Sequence, residues 1–176
     1  MTEKFELIAV LENPNFIMNI GNVIRNINGL GVDKLLVIDG QKRLEDNLEE
    51  LRQRKSLLKH SNGAVKWTDI KVFTETKTCF DFLNENGFIS VGTSPHNICK
   101  RQVKLTESKL IEPKLAIWFG EESKGLSKIA AELCEYCLTI DMKGKVESFN
   151  LSTITGIVMY EATKQREKTM HNKELS

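Results

Sequence analysis

The sequence predicts one α/β domain on a mainly parallel sheet flanked by helices on both faces. Short, almost uninterrupted apolar runs alternate with segments of helical periodicity along the chain. The 176 residues suffice for one sizeable core and are too few for two ordinary domains. Neither a Pro/Ser-rich linker nor an internal repeat divides them.

Taken in order, Phe5–Leu11 reads as a buried strand. Ile20, Val23, Ile24, Ile27 and Leu30 occupy one arc at about 100° per residue, a helix with Asn19 as its expected cap. Leu35–Ile38 is a second strand, and Leu44, Leu48, Leu51 and Leu58 mark one further helix. A helix over Thr78–Asn86 ends at Gly87, whose freedom at positive φ suits a helix terminus. Phe88–Val91, Leu115–Phe119 and Tyr136–Ile140 complete a set of five strands, and Ser127 caps a helix running to about Cys134. Leu151, Ile154, Ile157 and Val158 mark a last helix reaching Arg166, followed by a polar tail of roughly ten residues.

Composition narrows the function classes. Apolar residues at 40% and charged residues at 28% fit a globular chain and exclude a disordered one. Lys+Arg is 25 against Asp+Glu 24, so the formal net charge of +1 neither demands nor excludes a nucleic-acid partner. No apolar run approaches the ~20 residues of a membrane span. The start Met1-Thr2-Glu3-Lys4 is polar, not a signal-peptide core. These features predict a cytoplasmic protein whose cysteines (Cys79, Cys99, Cys134 and Cys137) are free thiols. Cys134-Glu-Tyr-Cys137 lacks a second pair or nearby histidines, so it reads as two ordinary half-buried thiols and no metal site is expected.

Three segments carry chemistry. Asn19-Ile-Gly-Asn-Val-Ile-Arg25 opens the first helix and leaves Arg25 off the apolar arc. Phe119-Gly-Glu-Glu-Ser-Lys-Gly-Leu126 follows an apolar strand, and its glycines permit close backbone approach or positive φ. It is no phosphate loop, since no GK[ST] follows and two carboxylates would repel phosphate. Ile140-Asp-Met-Lys-Gly-Lys-Val-Glu-Ser-Phe-Asn-Leu-Ser152 crowds Ser148, Asn150 and Ser152 at the start of the last helix, more polar groups than capping alone requires. A dinucleotide-binding enzyme is disfavoured because no GxGxxG follows the first strand.

In order and spacing these segments resemble the three motifs of SpoU-type (TrmH-like) RNA ribose 2′-O-methyltransferases of the SPOUT superfamily, from about Phe5 to Arg166. The third departs at Asp141, where proline is usual, and at Phe149, where leucine is usual. Ser61–Trp67 and Glu161–Arg166 are similar to segments of the branch that modifies tRNA guanosine 18.

The resemblance implies a deep C-terminal trefoil knot and a bent S-adenosylmethionine bound by Gly92, Thr93, Gly120, Ile140, Met142, Ser148 and Phe149. It implies methyl transfer to a ribose 2′-hydroxyl, most specifically guanosine 18 of tRNA, with Arg25, Asn19, Glu122 and Asn150 as the catalytic set. The resemblance implies that Arg25 helps remove the ribose proton; since arginine is a poor base, holding phosphate, orienting the hydroxyl and stabilising oxyanion charge is the more economical role, and both stay open. The alternatives are ribosomal RNA, the tRNA wobble position, or a non-catalytic RNA-binding module on the same fold. RNA-binding candidates are Arg54, Lys55, Lys164 and Arg166. The family is dimeric, which implies a homodimer with Ile157 and Tyr160 as candidate contacts and no membrane partner.

Overall fold

The computed structural model describes residues 5–174; the polar start Met1–Lys4 and the last two residues of the predicted tail lie outside them. Seven strands form one sheet in which every pairing is parallel. In chain order they are β1 (Glu6–Glu12), β2 (Lys34–Ile38), β3 (Ile70–Phe73), β4 (Ile89–Thr93), β5 (Gln102–Lys104), β6 (Lys114–Phe119) and β7 (Cys137–Thr139). Across the sheet the order is β3-β2-β1-β6-β4-β7-β5. The five predicted strands are the five inner ones. The two additions, β3 and β5, are the edges. An edge strand is half solvated and needs no apolar run, which is why Ile70-Lys-Val-Phe73 and Gln102-Val-Lys104 carry little strand signal.

Helices α1 (Ile17–Gly29), α2 (Leu48–Gln53), α3 (Lys55–His60), α4 (Thr76–Glu85), α5 (Lys128–Leu133) and α6 (Leu151–Glu174) cover both faces. Side chains alternate along each strand, so β1 sends Leu7, Ala9 and Leu11 to one core and Ile8 and Val10 to the other. The first core also holds Ile20, Val23, Ile24 and Ile27 of α1, Leu57 of α3, and Val158, Met159 and Ala162 of α6. The second holds Phe80 and Leu83 of α4, Ala130 and Ala131 of α5, and Trp118, whose ring stacks on Phe80 at 4.0 Å.

Four expectations change. The helix expected over Leu44–Leu58 is two, because Arg54 takes an extended backbone while its guanidinium donates to the Arg43 carbonyl and to Glu45. The last helix continues past Arg166 to Glu174. Cys99 and Cys137, expected as separate free thiols, stand side by side within disulfide reach, with Cα atoms 5.7 Å apart. The fold brings together residues 38 positions apart, a proximity that sequence spacing cannot display. In a reducing compartment the pair stands as two adjacent thiols. Cys79 and Cys134 are free and buried, and burial pushes the Cys79 thiol up to about 12 and Cys134 upward too, so both are inert packing residues.

The fourth change concerns Arg166, which is buried rather than available to RNA. Its guanidinium donates to the carbonyls of Glu6, Glu112 and Pro113 and lies over the Phe5 ring, tying α6 to the starts of β1 and β6. Removing it would strand three carbonyls. Arg166→Met is therefore expected to cost about 3 kcal/mol. Lys164→Met removes only the exposed pair with Glu161 and should stay within about 0.5 kcal/mol. Urea denaturation of both variants checks the contrast; equal midpoints would refute it.

Candidate active site

In an all-parallel sheet every strand ends at the same edge, and crevices there are the usual ligand sites. Here the C-terminal ends of β4, β6 and β7 deliver Thr93, Phe119 and Leu138 to one cavity of about 260 Å³. Its wall continues through the Gly120–Leu126 turn, through Ile140, Met142, Glu147, Ser148 and Phe149 of the loop after β7, and through Leu151, Ile154 and Val158 of α6.

Gly120 must be glycine because the turn folds back on it. The Glu121 and Gly125 backbones exchange N–H···O bonds of 3.1 and 2.9 Å, and a Cβ on Gly120 would lie 2.0 Å from the Gly125 carbonyl carbon. Gly125 has φ +71°, the left-handed region that glycine supplies. Glu121 stays within its own turn, accepting from Ser123 Oγ at 2.9 Å and pairing with Lys124 at 3.3 Å. Glu122 reaches to other segments.

Glu122 joins the first two motif segments. One oxygen accepts from Asn19 Nδ2 at 2.6 Å and the other from the Asn15 backbone N–H at 2.8 Å. Asn19 Oδ1 accepts from Asn150 Nδ2 at 3.1 Å, which adds the third segment. Asn150 also caps α6, since its Oδ1 accepts from the Ser152 N–H at 2.9 Å and the Ser152 hydroxyl at 2.7 Å. Asn19 is not the cap of α1. That helix begins at Ile17, and Asn19 lies buried in its first turn, freed for the cluster.

Of the predicted cofactor residues, Thr93, Gly120, Ile140, Met142, Ser148 and Phe149 line the cavity. Gly92 lies beneath it, where a Cβ would meet Cys137 Sγ at 2.7 Å and Leu126 at 2.8 Å. Asp141 bonds Lys104 Nζ at 2.8 Å, tethering the loop to β5. The lysine holds its carboxyl below the usual carboxylate range, and the aspartate raises Lys104 in turn. Arg25 is not drawn into the cluster. It is exposed on α1, about 9 Å further along the axis than Asn19, and has no hydrogen-bond or ion-pair partner among the described residues. Lys55 is exposed, whereas Arg54 is spent on the Arg43–Glu45 segment.

Sequence reasoning missed Glu12. Buried at the end of β1, it accepts from Thr76 Oγ1 and Ser127 Oγ, both at 2.6 Å, and from the Ser127 N–H at 2.8 Å. It thereby pins the end of the Gly120–Leu126 turn. The available signal was a carboxylate closing a fully apolar strand, a group that must find donors when buried. His96 and Glu147, also on the cavity wall, belong to no sequence pattern. Among the described residues no group of three or more His, Cys, Asp or Glu is arranged to hold a metal ion, and no helix is long and apolar enough to cross a membrane.

An all-parallel α/β sheet with a glycine turn, an Asn–Glu–Asn chain and a cavity at its carboxyl edge defines an α/β fold with a site of small-ligand size. The chain belongs to the SpoU rRNA methylase family, matched over residues 6–160. A Staphylococcus aureus (strain COL) protein assigned to the TrmH family of tRNA/rRNA methyltransferases is 29% identical over 171 residues, covering 93% of this chain and 62% of its own length. The chain thus spans about three-fifths of the length of the curated relatives it matches. A structure giving insights into the 2-OH methylation of C/U34 on tRNA superposes with a TM-score of 0.75 at 25% identity, covering 93% of this chain and 98% of that one. AviRb from Streptomyces viridochromogenes, a SpoU methyltransferase solved in complex with the cofactor AdoMet, shares the fold with a TM-score of 0.78 at 23% identity, over 96% of this chain and 63% of its own.

The Asn–Glu contact yields a sharp expectation. Asn19→Asp keeps the shape but sets a second carboxylate against Glu122. The folded pair then holds a proton that the unfolded chain releases, so stability falls as pH rises through the carboxylate range. A deficit of about 1–3 kcal/mol at pH 7, shrinking towards pH 4, is expected from urea denaturation. A deficit independent of pH would refute the contact.

Proposed function

We propose that the chain is an S-adenosylmethionine-dependent RNA methyltransferase that modifies a ribose 2′-hydroxyl. The observation that carries this reading is the chain Glu122–Asn19–Asn150, which ties three distant segments together through Glu122 of the cavity wall. The lining suits the cofactor. Apolar Ile140, Met142 and Phe149 can enclose a purine, and backbone groups of the Gly120 turn and of the loop after β7 can read its polar edge. When bound, the cofactor supplies a sulfonium methyl, already activated for transfer.

The protein's part is then alignment and proton management. Glu122, with both oxygens engaged, fixes Asn19. Asn19 fixes Asn150. Arg25, partnerless and exposed, is the group for an RNA phosphate and for the charge that develops on the ribose oxygen. Lys55 and Lys164 extend the basic surface. Exposed Ile157 and Tyr160 of α6 support a homodimer, and the β6-β4-β7 order supports a knotted C-terminal segment. The reading implies a cytoplasmic location, where the RNA is.

Guanosine 18 of tRNA is the leading target, on the Ser61–Trp67 and Glu161–Arg166 segments. Position 34 of tRNA is the second reading, favoured by the neighbour matched over 98% of its length.

Mapping ribose methylation in total RNA with and without the protein tests the proposal and names the nucleotide. No gained methyl, together with no heat on titrating S-adenosylhomocysteine to high micromolar, would leave a non-catalytic RNA-binding module. Arg25→Ala is expected to lose at least about a hundredfold in methyl transfer while cofactor affinity stays within about twofold, as for a lost charge-stabilising group. Equal losses of rate and of affinity, by calorimetry, would overturn its assignment.

A further inference from the structure

We propose that Phe16 is the surface on which the nucleobase of the modified nucleotide stacks. This rests on the ribose-methylation reading above. An exposed apolar side chain is ordinary, and Met18 two residues on is exposed as well. What singles out Phe16 is how it is mounted. It is 58% exposed, yet every residue leading to it is tied down. The Asn13 N–H donates to the Ile38 carbonyl at 2.9 Å, and Asn13 Oδ1 accepts from the Gly40 N–H at 2.9 Å. The Pro14 carbonyl accepts from the Arg43 guanidinium at 2.9 Å, and the Asn15 N–H donates to Glu122 at 2.8 Å. The Phe16 carbonyl accepts the Asn19 N–H at 2.9 Å. The aromatic ring is therefore held in water on a rigid support, one residue from the Glu122 contact.

Local preference argues against phenylalanine here. Phe16 occupies the N-cap position of α1, where Ser, Thr, Asp or Asn would satisfy a helix N–H, and it makes no side-chain cap bond. A residue that breaks the local rule without a packing gain marks a functional position. The geometry gives the function. Glu122, which the Asn15 N–H meets, lines the cavity, so Phe16 stands one residue from the place where a ribose would meet the Glu122–Asn19–Asn150 chain. Aromatic stacking recognises any base through its π face, so Phe16 would hold the nucleotide in place without selecting its identity.

Phe16→Ala is expected to raise the KM for RNA about tenfold, with kcat and S-adenosylhomocysteine affinity changed less than twofold, and Phe16→Tyr to restore the KM. Phe16→Trp in a Trp67→Phe background leaves the fully buried Trp118 as the one other tryptophan, and excitation at the red edge of tryptophan absorption avoids the tyrosines. Emission of the introduced tryptophan should be quenched by an RNA oligonucleotide without any methyl donor. An unchanged KM in Phe16→Ala together with unquenched emission overturns the proposal. So does light scattering that shows Phe16→Ala dissociating a dimer that the wild type forms, since Phe16 would then be a contact between copies. Quenched emission in a protein that transfers no methyl would uphold the stacking site and refute the methyltransferase reading. Methyl transfer with a KM indifferent to Phe16 would do the reverse.

Discussion

Everything at the site depends on one carboxylate having both oxygens occupied. Glu122 holds the Asn15 N–H and the Asn19 amide, and through Asn19 it holds Asn150. The partners are 107 and 103 residues away, and Asn19 and Asn150 are 131 apart, so no local propensity could assemble them. Their meeting depends on the parallel sheet. With β1, β6, β4 and β7 adjacent and co-directional, the turn after each strand arrives at one edge. Gly120 then lets the β6 turn close on itself, and Glu12 locks the far end of that turn to β1. Each satisfied polar group reduces the freedom of the next, which is how a site gains preorganisation before substrate arrives.

The inner sheet was legible because burial on both faces demands continuous apolar runs, and β1 and β6 consist of little else. The edges were not, because solvent tolerates Lys71, Gln102 and Lys104 there. The α2–α3 break was illegible for a different reason. Leucine spacing continues through it, while the guanidinium of Arg54 is bound to residues upstream of both helices.

Residue type and spacing singled out Asn19, Glu122 and Asn150, which the structure joins in one hydrogen-bonded chain, but could not show how they connect. Asn19 looked like a cap and is a buried bridge. Asn150 is both, capping α6 with its oxygen and reaching Asn19 with its nitrogen, a division of labour that an amide permits and a serine does not. Asp141 stands where the family uses proline, and its bond to Lys104 replaces a stiff backbone with a tether to the edge strand. Glu12 escaped notice because a single carboxylate at a strand end has no pattern; only its three donors, from two other segments, reveal it.

The same accounting applied to positive charge explains why one chain would offer a polyanion only a narrow grip. Total charge is balanced, and much of the cationic inventory is committed internally. Arg166 serves three carbonyls, Arg54 a carbonyl and a carboxylate, Lys104 the Asp141 loop and Lys124 its own turn. What remains without an ion-pair partner among the described residues includes Arg25 on α1 and Lys55 and Lys59 on α3. Those helices pack together, with the Gly21 backbone against His60, so these cations belong to one helical layer. Each phosphate contact contributes roughly one unit to the salt dependence of binding, and a handful of contacts gives weak, salt-sensitive association. A second copy of the chain would double that layer, and an aromatic contact at the mouth of the site would add affinity that salt does not screen. On the proposed reading, neutral contacts near a ribose and sparse charge further out are what a near-neutral chain would use to hold a charged substrate in register.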